Sequence, residues 1–132
     1  MKIIFLGKYL VAIPALLIFL NTYAADVVVI AHQGTNINAI DVREIFTGEK
    51  QFSGNTKLVG VDNASAQDSF CSKMLGMNTV KYANLWTKKS FREGLRPPDV
   101  KSSDAEVIEF VKRTPGAIGY VFTTPTGVEI VK

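Results

Sequence analysis

The alternation of apolar runs and polar breaks along the chain predicts one α/β unit. Runs rich in β-branched residues, typical of strands buried in a sheet, occupy positions 27–31, 57–62, 117–122 and 128–131. Apolar residues at helical spacing predict helices over 38–48, 66–75, 79–91 and 103–114. The resulting order, β-α-β-α-α-α-β-β, indicates a three-layer α/β sandwich built on a mixed sheet.

Capping patterns support three of these helix starts. The pairs are Asn38 with Asp41, Ser65 with Asp68, and Ser103 with Glu106. In such a pair the first side chain accepts a hydrogen bond from a backbone N–H of the first turn, and the second accepts one from the cap's own N–H. Within the helix 79–91, we expect Trp86 and Phe91 to anchor the core.

The first 24 residues have the pattern of a cleavable secretory signal. Lys2 and Lys8 give a positive start, an apolar stretch follows over 9–20, and Ala24 supplies a small residue at the cut. The apolar stretch is interrupted by Pro14 and is shorter than the roughly 20 residues of a membrane span. An uncleaved N-terminal anchor is the alternative. The prediction is therefore a signal peptide over 1–24 and one periplasmic domain over 25–132, with no membrane span in the latter.

Charge and cysteine content narrow the class of protein further. The formal net charge of +3 falls to +1 without Lys2 and Lys8, so the composition does not indicate nucleic-acid binding. Cys71 is the only cysteine, which excludes an intrachain disulfide. Because it lies in an apolar helical stretch, we expect a small buried hydrophobe rather than a reactive thiol.

The sequence offers no catalytic constellation. His32 is the only histidine, so no pair of histidines exists to hold a metal ion. A Gly-x-Ser-x-Gly nucleophile elbow and a glycine-rich phosphate loop are also missing from the chain. We therefore expect a protein that is not an enzyme, with no catalytic residue, no metal and no cofactor.

The strongest candidate binding site is the helix start that follows the strand 57–62. Free backbone N–H groups at such a position attract anions, and hydroxyl and amide side chains can add donors. The candidate residues are Asn63, Ala64, Ser65, Ala66 and Gln67. His32 and Thr35, after the strand 27–31, are expected to reach the same crevice from a neighbouring strand end. An ordinary helix cap without a ligand is the alternative.

A second candidate surface is the basic, aromatic-bearing stretch Lys81–Lys101. It carries Trp86, Phe91, Arg92 and Arg96, a composition that suits an acidic partner. The alternative is a solvated helix face over a buried tryptophan.

Two motifs resemble those of the substrate-binding proteins of phosphate ABC transporters. They are Ile45–Lys50 (IFTGEK) and Pro115–Val121 (PGAIGYV), and the resemblance extends over most of 25–132. It implies one lobe of the periplasmic-binding-protein type, in an extracytoplasmic receptor that holds phosphate or a similar oxyanion for a transporter permease and needs no cofactor.

The chain departs from this family at the binding loop. The family carries an Arg-x-x-x-Ser-Gly-Thr sequence there, whereas this chain has Asp62 or Asn63 in place of the arginine and Ala64–Gln67 in place of the rest. We also expect that no two-lobe cleft can close within one chain. The alternative function is therefore an interaction or accessory module of the cell envelope that has lost its ligand.

Overall fold

The structure, a computed structural model, describes residues 26–132, and the predicted signal peptide lies outside the described residues. The strands are β1 Val28–Ala31, β2 Phe52–Ser53, β3 Thr56–Lys57, β4 Val59–Asn63, β5 Asp99–Lys101, β6 Ala117–Val121 and β7 Glu129–Ile130. The helices are α1 Ala39–Phe46, α2 Gln67–Phe70, α3 Thr79–Glu93 and α4 Asp104–Arg113. A π-helical turn, Cys71–Leu75, continues α2 and ends at Gly76.

One mixed sheet organises these elements. Its strand order is β5-β4-β6-β1-β7, with β4 parallel to both β5 and β6 and with β1 antiparallel to both β6 and β7. The strands β2 and β3 form a separate small hairpin. The predicted α/β architecture with a mixed sheet is confirmed. The strand β5 and the hairpin were not predicted, because they are two or three residues long and mostly polar.

Helices cover both faces of the sheet, which gives three layers. The helix α4 covers one face, where Val107 and Val111 are fully buried with Ile30 and Val61. Gly119 in β6 permits this close approach, since a Cβ atom there would lie 2.5 Å from a Val107 methyl carbon. The second glycine of the PGAIGYV motif therefore has a packing role.

The other face carries α1, α2 and α3 around an aromatic cluster. The rings of Phe70 and Tyr120 stack at 3.8 Å between centroids, and Phe46 meets both rings edge-on. Cys71 is fully buried in the same cluster, and burial raises the pKa of its thiol to about 11. The prediction of a small buried cysteine is confirmed.

Two of the three predicted helix caps are present. The Asn38 side chain accepts from the backbone N–H of Ile40 and of Asp41, while the Asp41 carboxylate accepts from the N–H of Asn38 at 2.9 Å. The Ser103 hydroxyl accepts from the N–H of Glu106 at 3.4 Å. The Glu106 carboxylate accepts from the N–H of Ser102 rather than from that of the capping residue.

The predicted cap at Ser65 is wrong. The helix begins at Gln67, and its first flanking residue, Ala66, has no side-chain hydrogen bond to offer. The Ser65 hydroxyl donates instead to the side-chain oxygen of Asn63 at 2.6 Å. The Ser65 hydroxyl thus bonds to the buried Asn63 side chain and does not cap the helix.

The prediction that Trp86 anchors the core is confirmed, and the same prediction for Phe91 is wrong. Trp86 is buried, and its indole N–H donates to the Phe46 carbonyl oxygen at 3.0 Å. Phe91 is 93% exposed. The buried positions of α3 are Tyr82 and Trp86, which are four residues apart and share one face, whereas position 91 points about 140° away from that of Trp86.

We predict that Trp86→Ala destabilises the fold by about 3–5 kcal/mol, since a large buried ring and its hydrogen bond are both lost. The matched variant Phe91→Ala is expected to change stability by less than about 0.5 kcal/mol, because this ring is almost fully in solvent. Urea unfolding followed by far-ultraviolet circular dichroism measures both, since Trp86 is the only tryptophan. Equal losses in the two variants would contradict the assigned orientation of α3.

Candidate functional site

The structure separates the predicted site residues into two groups at opposite ends of the sheet. The turn Asn63–Gln67 follows the carboxyl end of β4. His32 follows the end of β1, beside Ala117, and Ala117 is the partner of Val59 at the start of β4. The two groups are therefore about 13 Å apart along the strands, which is four residues at roughly 3.3 Å each. The expected shared crevice is not formed, because β1 runs antiparallel to the strands beside it.

His32 and Thr35 are engaged in holding the fold. The Nδ1 atom of His32 lies 2.8 Å from the Val111 carbonyl oxygen, so this ring nitrogen donates to the last turn of α4. The backbone N–H of His32 donates to Ala117, and that of Thr35, a buried residue, donates to His32. Any role of these two residues in binding a ligand stays a prediction.

Asn63 is the centre of the turn that was predicted to bind an anion. Its side chain is fully buried, and its Nδ2 atom donates to the Asp104 carboxylate at 2.6 Å and to the Tyr120 carbonyl oxygen at 3.0 Å. Its Oδ1 atom accepts from the N–H and the hydroxyl of Ser65 at 3.1 and 2.6 Å. The side chain thus joins β4, β6, α4 and the turn.

The neighbouring polar groups of the turn are also in use. The N–H of Ala64 donates to the Lys101 carbonyl oxygen, and that of Ala66 donates to the carbonyl oxygen of Asn63. The second oxygen of Asp104 accepts from the N–H of Phe122 at 3.0 Å. Because α2 has only four residues, its helix dipole adds little to the field at the turn.

Asp62 is a functional candidate that was not predicted from the sequence. The sequence shows it only as an acidic residue next to the turn. Its carboxylate is buried and accepts from the Tyr82 hydroxyl at 2.9 and 3.2 Å and from the Tyr120 hydroxyl at 2.9 Å. Within residues 26–132, no lysine or arginine is within ion-pair distance of it. Its partners come from α3 and β6, so no local motif contains them.

The burial of this carboxylate shifts three titrations. Loss of hydration raises the pKa of Asp62 to about 6. The two tyrosine hydrogen bonds lower this pKa, but their effect is smaller. Burial and the Asp62 charge raise the pKa of Tyr82 and of Tyr120 well above the ordinary tyrosine value. Both hydroxyls therefore remain donors over the whole physiological pH range.

Two grooves share Trp86, Pro97 and Pro98 in their linings. The first, which we call the basic groove, has a volume of about 490 Å³ and is lined further by Ile45, Leu58, Phe110, Lys57 and Arg96. The second, the aromatic groove, has a volume of about 610 Å³ and is lined further by Asp62, Gln67, Tyr82, Phe91 and Val100. The sequence did not predict either groove, because each collects residues from distant segments.

Metal-binding clusters and membrane-spanning helices were both sought in the described part of the chain. Residues 26–132 contain no group of three or more histidine, cysteine or carboxylate side chains placed to hold a metal ion. None of the helices in this range combines the length and the apolar character that a bilayer crossing requires.

Solved structures of the same fold occur among phosphate transport receptors. A protein assigned to the phosphate ABC transporter substrate-binding proteins, from Clostridium perfringens and with bound phosphate, aligns at a TM-score of 0.60 and 16% identity, over 81% of this chain and 44% of that one. PstS from Borrelia burgdorferi aligns at 0.55 and 23% identity, over 80% of this chain and 46% of that one. An ABC-type phosphate transport receptor from Vibrio cholerae aligns at 0.51 and 11% identity, over 81% and 45%.

These likenesses establish the fold, since all three sequence identities are low. No family model matches this chain, and no curated protein matches it in sequence. The chain spans a little under half the length of each of the three solved proteins. The resemblance predicted from the IFTGEK and PGAIGYV motifs is thus confirmed at the level of the fold.

We predict that the stability contributed at Asp62 falls as the pH rises from about 4 to about 7. At a pH near 5 the folded protein keeps a proton on Asp62 that the unfolded chain has released, so folding is favoured at the lower pH. With a folded pKa of about 6 against an ordinary 3.8, the loss is on the order of 3 kcal/mol at most.

The variant Asp62→Asn, which cannot ionise, should lack this dependence. Urea unfolding of both proteins across this pH range isolates the effect as the difference between the two curves. Asp68→Asn, a change at an exposed neighbour, is the control. Parallel curves for the original protein and Asp62→Asn would show that Asp62 does not titrate in this range.

Proposed function

We propose that this chain is an exported, non-enzymatic binding lobe that recognises a small oxyanion, such as phosphate, at the turn Asn63–Gln67 and serves an ABC-type transporter in the periplasm. The observation that carries the proposal is the fold, which matches, over four-fifths of this chain, a solved protein with bound phosphate. The turn follows the carboxyl end of a parallel strand, where open α/β sheets place their ligands.

The chemistry of the turn suggests that the binding is weak. The donors left for a ligand are the Gln67 side chain, which is half-buried, and the backbone at the start of α2, while the Ser65 hydroxyl must leave Asn63 to take part. Two carboxylates, those of Asp62 and Asp104, lie beside these donors and repel an anion. We therefore expect a dissociation constant above the micromolar range.

We predict that Ser65→Ala and Gln67→Ala each weaken phosphate binding severalfold, because each removes a side-chain donor. Calorimetric titration of the purified protein with phosphate, with sulfate and molybdate as competitors, measures the effect. Ser72→Ala, a change at an exposed position in the π-helical turn, is the control and should bind as the original protein does. Unchanged affinity in both site variants would remove the turn from consideration, and no heat at millimolar phosphate would reject oxyanion binding.

A second candidate function, an interaction module of the cell envelope, is favoured by one observation on α3. The Phe91 ring is 93% exposed, and the basic side chains of Lys88 and Arg92 are exposed beside it. An exposed aromatic ring with cationic neighbours is typical of a contact surface for an acidic protein partner.

We predict that combined charge reversal at Lys88 and Lys89 abolishes capture of such a partner from envelope extracts, while phosphate binding is unaffected. The same reversal at Lys112, which lies against Gly127 on another side of the lobe, is the control. Capture that persists in the Lys88 and Lys89 variant would reject this surface as the contact.

A further inference from the structure

We propose that the basic groove is a binding site for a small amphipathic anion, that is, an apolar or aromatic body carrying one carboxylate, sulfonate or phosphate group. The groove is lined by the start of β4, whereas the turn Asn63–Gln67 follows its end. The inference therefore goes beyond the proposed function and does not depend on it.

The floor of the groove is apolar and firmly held. Trp86, Leu58 and Ile45 are each less than a tenth exposed, and the Trp86 indole is fixed by its hydrogen bond to the Phe46 carbonyl oxygen. The Trp86 ring also rests against Gly48, where a Cβ atom would lie 2.8 Å from it. The volume of about 490 Å³ falls within the range of preformed pockets for small molecules, roughly 300–1,000 Å³.

The rim of the groove supplies unpaired positive charge. Lys57 and Arg96 are exposed, and within residues 26–132 neither has a carboxylate within ion-pair distance. Lys50, the third cation of the lining, is paired with Asp41 at 3.0 Å. The lone carboxylate among the described lining residues is that of Asp99, so the free charge at the rim is positive.

Additional cations surround the Phe110 ring at the edge of the groove. The Lys101 ammonium lies 5.0 Å from the centroid of this ring, and the Arg113 guanidinium lies 5.9 Å from it. Arg113 is itself paired with Glu109 at 4.0 Å, so the unpaired charge at the groove remains that of Lys57 and Arg96. A guanidinium such as that of Arg96 can hold a carboxylate or phosphate through two parallel hydrogen bonds.

A comparison with the aromatic groove explains why the ligand should bind in the basic groove. The two grooves share the apolar residues Trp86, Pro97 and Pro98, and each adds further apolar side chains of its own. The aromatic groove, however, contains no lysine or arginine among its described lining residues, and it contains the buried Asp62 carboxylate. An apolar body fits either groove, whereas an anionic group is attracted to one and repelled by the other.

The test uses Trp86, the only tryptophan, as the reporter on the floor of the groove. The anionic probe is 8-anilinonaphthalene-1-sulfonate, and its uncharged counterpart is N-phenyl-1-naphthylamine. We expect saturable energy transfer from Trp86 to the anionic probe. The double variant Lys57→Ala with Arg96→Ala should weaken that probe about tenfold or more, since two charge-assisted contacts are lost, and should leave the uncharged probe unchanged.

Two control variants make the outcome specific. Lys112→Ala removes an equivalent positive charge that lies against Gly127, outside the groove, and should leave both probes unchanged. Ser65→Ala should also leave the anionic probe unchanged, which separates this site from the proposed oxyanion turn. The proposal is overturned if the anionic probe does not saturate, if the double variant binds it as the original protein does, or if the double variant loses both probes equally.

Discussion

Two consecutive buried polar side chains at the end of β4 hold the layers of this lobe together. Side chains alternate between the faces of a strand, so Asp62 and Asn63 point to opposite faces. Asp62 accepts hydrogen bonds from Tyr82 of α3 and Tyr120 of β6, and Asn63 bonds to Asp104 at the start of α4. Every layer of the sandwich is thus connected to one strand end by short polar contacts. Because each unmade contact would leave a buried polar group without a partner, these bonds tolerate little rearrangement.

This connection restricts what the strand end can do for a ligand. An oxyanion site needs donors that point outward and a positive charge nearby, yet the Asn63 amide and the Ser65 hydroxyl donate inward. The nearby buried side chain of Asp62 is acidic, the opposite of the positive charge that an anion site needs. The contacts that hold the turn in place therefore leave few of its donors free for an anion.

Much of the fold could be predicted from the sequence, because it is encoded locally. The buried run at β1, the capping box at Asn38 and the PGAIGYV strand each depend on neighbours a few residues away. No local sequence pattern predicts the direction of β1 within the sheet. Because β1 runs antiparallel to β6, His32 lies at the end of the sheet opposite the turn Asn63–Gln67. The site itself depends on contacts across long separations, such as that of Asp62 with Tyr120, 58 residues away. The prediction for Phe91 is wrong because the presence of an aromatic residue in a helix does not specify the face on which it lies.

The two ends of β4 differ in charge, and this difference affects where on the protein an anion would be attracted. The carboxylates of Asp62 and Asp104 lie at the carboxyl end, and the unpaired cations Lys57 and Arg96 line the groove at the other end. A carboxylate beside a ligand donor cancels much of the attraction that the donor provides, whereas exposed cations over an apolar floor add to one another. Electrostatics alone would therefore move an anion away from the strand end and toward the basic groove. The fold resembles that of solved phosphate receptors, while the ligand proposed for the basic groove also has an apolar part.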